Sequence, residues 1–224
     1  MKRILLAVLA CGVCTGVSCR MGGDTYISLD NADARITITQ SAGSADANAV
    51  ASITRLGGAV VVVLEEGQGV AINGQSLTGP DASGVYARTI PAAETYTIRV
   101  SEPTRGVDET TAASPAAFEI TSPAAGGTAS LAGFAVAWSG ADPGLTTAVR
   151  ITQVIQNQER RKTFGPFTDT GGLTLSHTDL VDFGQGVSML IEVMKIREQT
   201  GIAGFRSGTI RMERSRAVTV QPGP

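Results

Sequence analysis

The chain lacks most of what a catalytic or metal centre is made from. Its 224 residues include three cysteines, Cys11, Cys14 and Cys19, and all lie within the first nineteen positions. The body of the protein therefore carries neither disulfide nor thiol chemistry. With one histidine, His177, a Ser-His-Asp device would depend on that residue alone, and no G-x-S-x-G elbow supplies a nucleophile. Three or four Cys, His or carboxylate ligands at zinc spacing are missing. Calcium would have to come from Asp30 with Asp33, or from Asp142 and Asp169, none of which shows the alternating spacing of a calcium loop. These read as turn-forming aspartates. No catalytic, metal or cofactor residue is expected, and the chain is not read as an enzyme. Charge is also scarce, at 17% of residues and a net −2, which leaves no polybasic footprint for nucleic acid. Aromatic residues make up 4%, with one Trp, expected buried, and three Tyr, which disfavours the solvent-facing rings of a sugar platform.

What is present begins at the N-terminus. Lys2 and Arg3 precede an apolar run from Ile4 to Val13 and then small residues, the three regions of an export signal. The run is shorter than the ~20 apolar residues of a bilayer span. Val17-Ser18-Cys19 matches the last positions of a lipobox, although Gly16 stands where Leu, Val or Ile is usual. The segment resembles the leader of a bacterial lipoprotein. That resemblance implies cleavage before Cys19, lipidation of Cys19 and attachment to a membrane through the N-terminal lipid. Val8-Leu9-Ala10-Cys11 is the competing site, and cleavage near Ser18 without lipid would give a secreted protein. Arg20 rather than an acidic residue follows Cys19, which by analogy with lipoprotein sorting points to the outer membrane or cell surface.

The body reads as all-β. With 27 glycines and β-branched residues in short runs between turn formers, many short strands are expected. The division is a signal peptide over 1–18, a tether over 19–24, a first β-sandwich module over 25–101, a linker over 102–117 and a second module over 118–221. In the first module Ile36 and Ile38 alternate with Thr37 and Thr39. Ala59–Leu64 (AVVVVL) reads as a strand covered on both faces. Asn73-Gly74 between Val70-Ala71-Ile72 and Ser76-Leu77 signals a tight hairpin. The polar, Pro-punctuated stretch from Ser101 to Ala117 marks the domain boundary.

In the second module Phe134, Val136 and Trp138 fall on one face by period two, so Trp138 is expected as a buried core anchor. Met189, Ile191 and Val193 alternate with Leu190, Glu192 and Met194. Ser176 or Thr178 would cap a helical turn at His177–Asp182. Glu65 and Glu66, adjacent on a strand end, point apart and cannot share acid-base work. Arg160, Arg161 and Lys162 read as the charged side of an edge strand. The order ITSP, Gly-rich turn, Trp-bearing strand, Asp-Pro-Gly turn and strong alternating strand resembles a fibronectin type III or immunoglobulin-like sandwich without antibody-type cysteines. The function expected is that of a lipid-anchored structural or protein-interaction module of the cell envelope, binding an envelope protein or glycan. The alternative is a secreted or surface carbohydrate-binding module.

Overall fold

The computed structural model describes residues 27–41 and 43–224. Cys19, the tether and the export signal lie outside the described residues. A 3-10 turn at Leu29–Asn31 leads into β1 (Asp33–Gln40), β2 (Asp46–Arg55), β3 (Val60–Val61), β4 (Gly69–Ile72), β5 (Gln75–Ser76), β6 (Val85–Pro91), β7 (Thr95–Glu102) and β8 (Gly106–Ala113). Then follow β9 (Ile120–Ser122), β10 (Thr128–Ser130), β11 (Gly133–Trp138), β12 (Thr146–Ile155), β13 (Gln158–Thr168), β14 (Gly172–Ser176), α1 (His177–Leu180), β15 (Met189–Thr200) and β16 (Ser207–Gly223). The fold is an all-β sandwich. One large sheet runs β13-β12-β15-β16-β1-β2-β3, with β6 also on β2 and β10 also on β16. Two smaller sheets, β5-β4-β7-β8 and β14-β11-β9, supply the facing layers.

The large sheet is continuous because of its last two strands. β15 and β16 pair antiparallel from Met189↔Val220 to Thr200↔Thr209. On its other edge β16 takes β1 in parallel from Ser207 to Arg214, and β10 in parallel from Gln221 to Gly223. At ~3.3 Å per residue a strand of this length spans about 55 Å, enough to run under both facing sheets. Even-numbered residues of β16 turn inward throughout. Ile210 and Met212 enter a core with Ile36, Ile38, Ile53, Ile72, Tyr96 and Ile98. Val218 and Val220 belong to a second core with Phe118, Val136, Trp138, Ile151, Leu175 and Ile191.

The structure differs from the sequence expectations in three places, two of them in the division of the chain. The first core is not closed by residues 25–101, because Ile202, Phe205, Ile210 and Met212 of the C-terminal hairpin are buried in it. The expected linker over 102–117 holds β8, paired with β7 from Thr95↔Ala113 to Glu102↔Gly106. An edge strand with one wet face has the polar composition of a linker, which is why the two look alike in sequence. Third, Ala59–Leu64 is not a strand covered on both faces: β3 is two residues long, and of this run Val62 is buried while Val60, Val61 and Val63 are exposed.

Other expectations hold in place. Asn73 and Gly74, both at positive φ, turn β4 into β5 with Ile72 opposite Gln75. Trp138 is buried, and β13 lies at the edge of the large sheet. The hairpin tip plugs into the first core, where Gly204 is needed: its φ is +94°, and a Cβ there would meet Val100 at 2.9 Å. Arg206 donates its backbone N–H to Ala32 and its guanidinium to Asp33, while Arg105 donates to the Gly204 carbonyl at 2.9 Å.

Because the cores share one ribbon, the full chain is expected to unfold in a single transition. Ile210→Ala should lower the stability of the whole by about 2–5 kcal/mol, the usual cost of emptying a buried aliphatic site. Residues 20–117 alone, deprived of Ile202, Phe205, Ile210 and Met212, should lack near-UV circular dichroism. Two calorimetric transitions, with only one moved by Ile210→Ala, would show independent modules.

Candidate functional site

The inner face of the β15–β16 ribbon changes character halfway along. Between the two apolar cores the inward cross-strand rows are Val193↔Arg216, Lys195↔Arg214 and Arg197↔Met212. Four cations thus form a belt where the facing sheets meet. Loops from both sides answer it. Arg214 donates to Gln40 at 2.9 Å and to Glu94 at 3.1 Å. Arg216 donates to the Phe118 carbonyl at 3.0 Å and lies 3.4 Å from Glu119, and Arg197 reaches Asp142 at 3.3 Å. The deepest pair is Lys195 with Asp169, 2.9 Å apart, with side chains 1% and 0% exposed.

That pair is saturated. Asp169 Oδ1 accepts from the Trp138 indole N–H at 2.7 Å and the Gly171 N–H at 3.2 Å. Its Oδ2 accepts from Lys195 and, at 3.2 Å, from the Asp142 N–H. Four donors fill the four lone-pair positions of a carboxylate. Lys195 Nζ uses its three protons on Asp169, the Ser139 carbonyl and the Gly140 carbonyl, and stands 4.8 Å from the centre of the Phe118 ring. Burial pushes the Asp169 carboxyl up, but the hydrogen bonds from Lys195 and Trp138, with the lysine charge, outweigh it and hold the group below the usual carboxylate range. Chemically this is a locked ion pair: no lone pair or proton remains to meet a substrate.

The other candidate residues are held apart. Asp30 pairs with Arg105, Asp33 with Arg206 and Ser207, and Asp142 with Gly144 N–H and Arg197, so each calcium candidate already has a donor or cation. Among the described residues no group of three or more His, Cys, Asp or Glu is arranged to hold a metal ion. His177 opens α1, exposed, with Nδ1 3.0 Å from the Leu131 carbonyl oxygen. Ser176 caps that turn, donating both its N–H and its hydroxyl to Asp179 at 2.9 and 2.7 Å. Glu65 and Glu66 are exposed. On β13, Lys162 bonds the Asp179 carbonyl and Arg160 the Asp182 carbonyl, tying the edge strand to the α1 loop.

An open trough of about 480 Å³ lies on the uncovered face of the large sheet, where Asp33, Arg35, Ser52, Thr54, Ser207 and Thr209 come together from three adjacent strands. The sequence reading missed both this trough and the belt. The signal for Lys195 was nonetheless there: it continues the inward series Met189, Ile191, Val193 at the next odd position.

No protein-family model matches the chain, and no curated protein matches it. Among solved structures, the chain is similar to the adhesin InvE of Yersinia pseudotuberculosis at 14% identity and a TM-score of 0.23, over 84% of this chain and 58% of that one. A TM-score of that size does not establish a shared topology.

Removing Lys195 strands a buried carboxylate, so Lys195→Met should cost about 3–5 kcal/mol in urea unfolding. The acid limb is equally specific. A carboxyl whose pKa is lower in the folded chain contributes stability that is present above its unfolded value, about 3.9, and lost as pH falls through the folded value. Stability should therefore decline below pH ~4, and less steeply in Asp169→Asn. Equal slopes would mean that the pair does not carry this linkage.

Proposed function

We propose that this is an exported protein anchored by a lipid on Cys19, serving the cell envelope as a structural or protein-interaction module without catalysis, its second half an immunoglobulin-like sandwich of the fibronectin type III kind. One observation carries the reading: the polar groups that look chemically capable are already spent on structural hydrogen bonds and ion pairs within the fold. Asp169 and Lys195 are saturated, Asp30, Asp33 and Asp142 are paired, and His177 rests on a backbone carbonyl. A scaffold needs rigidity of that kind, whereas a hydrolase needs an unsatisfied group facing substrate.

The carbohydrate-binding reading has the hydroxyl-lined trough in its favour, with Arg35 exposed at its side. Against it, Trp138, Tyr86 and Tyr96 are buried, so none of them offers a ring for a sugar to stack on. A glycan array and a pull-down from envelope extract separate the two readings.

Anchoring is tested by fatty-acid labelling and detergent partitioning. Cys19→Ser should abolish both, while Cys11→Ser should leave both intact; the reverse pattern would assign the lipid to Cys11. His177→Ala should melt within about 0.5 kcal/mol of wild type, as surface substitutions do. Any enzymatic activity lost specifically in that variant would overturn the non-catalytic reading.

A further inference from the structure

Large apolar side chains are exposed at nine described positions, and four of them, Leu56, Val60, Val61 and Val63, fall between 56 and 63. Their exposures are 71%, 46%, 44% and 60%. Such clustering separates them from the scattered exposed apolar residues that any surface carries. The backbone here is unusual too. Leu56 has φ +53°, followed by Gly57 at +67° and Gly58 at +97°. A leucine in that region is strained, and this one is also the most exposed of the nine.

The patch lies beside the point where the chain enters the fold. Asp33 is opposite Thr54 in the large sheet, and Thr54 is opposite Val61. Two strand spacings put Val61 only ~10 Å from the start of β1. Ile27, the first described residue, accepts a hydrogen bond from Gln68 at 2.8 Å, and Gln68 in turn accepts from the Glu65 N–H at 3.0 Å, two residues beyond Val63. Eight residue steps separate Cys19 from Ile27, a reach of at most ~28 Å.

We propose that the β3 edge, with Val60 and Val61 on its opposite faces and Leu56 and Val63 flanking them, forms a membrane-contact edge that enters the lipid interface edge-on beside the anchored N-terminus. The proposal rests on the lipidation reading above. A tether that short holds this face, rather than the far end of the sheet, against the bilayer. The chemistry also suits lipid better than protein: Leu and Val are under-represented among interface hot spots, where Trp, Tyr and Arg dominate, and aliphatic side chains partition into acyl chains without a directional partner. Arg55 on one side and Glu65 and Glu66 on the other leave no cationic excess, so the contact is apolar rather than electrostatic. It should not depend on anionic lipid.

The test uses the full chain with Cys11→Ser and Cys14→Ser, leaving Cys19 for the lipid, and one reporter introduced as Val61→Cys or, as a control in β12, Val154→Cys. Each carries an environment-sensitive fluorophore and is reconstituted into phosphatidylethanolamine vesicles with or without phosphatidylglycerol. The expected result is a blue shift and quenching by nitroxide lipids at position 61 in both compositions, neither at 154, and loss of the shift on adding Val63→Asp. With fatty acid verified on the protein, equal emission at the two positions would overturn the patch while leaving the anchor standing. A shift that rises with protein concentration in the absence of vesicles would overturn it in favour of a second copy. Absence of fatty acid from Cys19 would remove the anchoring reading itself, and the proposal with it.

Discussion

Two apolar cores share one face of one sheet, and at their meeting the chain must place polar groups where burial is deep. The Lys195–Asp169 pair meets that constraint. An isolated buried charge costs several kcal/mol, and a pair recovers it only when the remaining donors and acceptors are also used. Here they are: four donors converge on Asp169, and three acceptors on Lys195. The indole of Trp138 is part of this arrangement, so the residue that anchors the second core through its ring also orients the carboxylate through its N–H. In the ionic belt Glu94, Glu119, Asp142 and Asp169 of the facing loops meet Arg214, Arg216, Arg197 and Lys195 of the ribbon.

The ribbon also changes what the two halves of the chain are. Its tip carries Ile202 and Phe205 into the first core, and its far end carries Val218 and Val220 into the second. The two sandwiches are consequently one mechanical body held by antiparallel pairing over twelve residues of β15. That coupling would pass a displacement of one end to the other through backbone hydrogen bonds rather than a flexible linker. Among the described residues no layer covers the trough on the polar, Thr- and Ser-rich outer face of the same sheet, and the valine-rich edge at β3 lies near Ile27, the first described residue. Apolar edge and polar face thus occupy different parts of one rigid scaffold.

Local sequence signals determined much of this protein: period-two alternation gave the all-β class and the inward series of Phe134, Val136 and Trp138, and turn and cap chemistry gave the Asn73-Gly74 turn and the capped turn at Ser176. Each depends on neighbours within a few residues, where side-chain direction and turn geometry are set locally. Tertiary structure decided the rest. Arg214 and Arg216 look like the end of a strand in sequence, because cations normally face water, yet β16 runs straight through them; Gln40 at the end of the neighbouring β1, with Glu94 and Phe118 from loops distant in sequence, makes an inward arginine tolerable. The valines at 60–63 look like a doubly covered strand, but β3 is a two-residue strand at the end of the strand order, and Val60, Val61 and Val63 are exposed there while Val62 is buried. Parallel pairing of β1 with β16 joins residues 174 positions apart, a contact no local pattern encodes, since its stability comes from the shared core and not from either strand by itself.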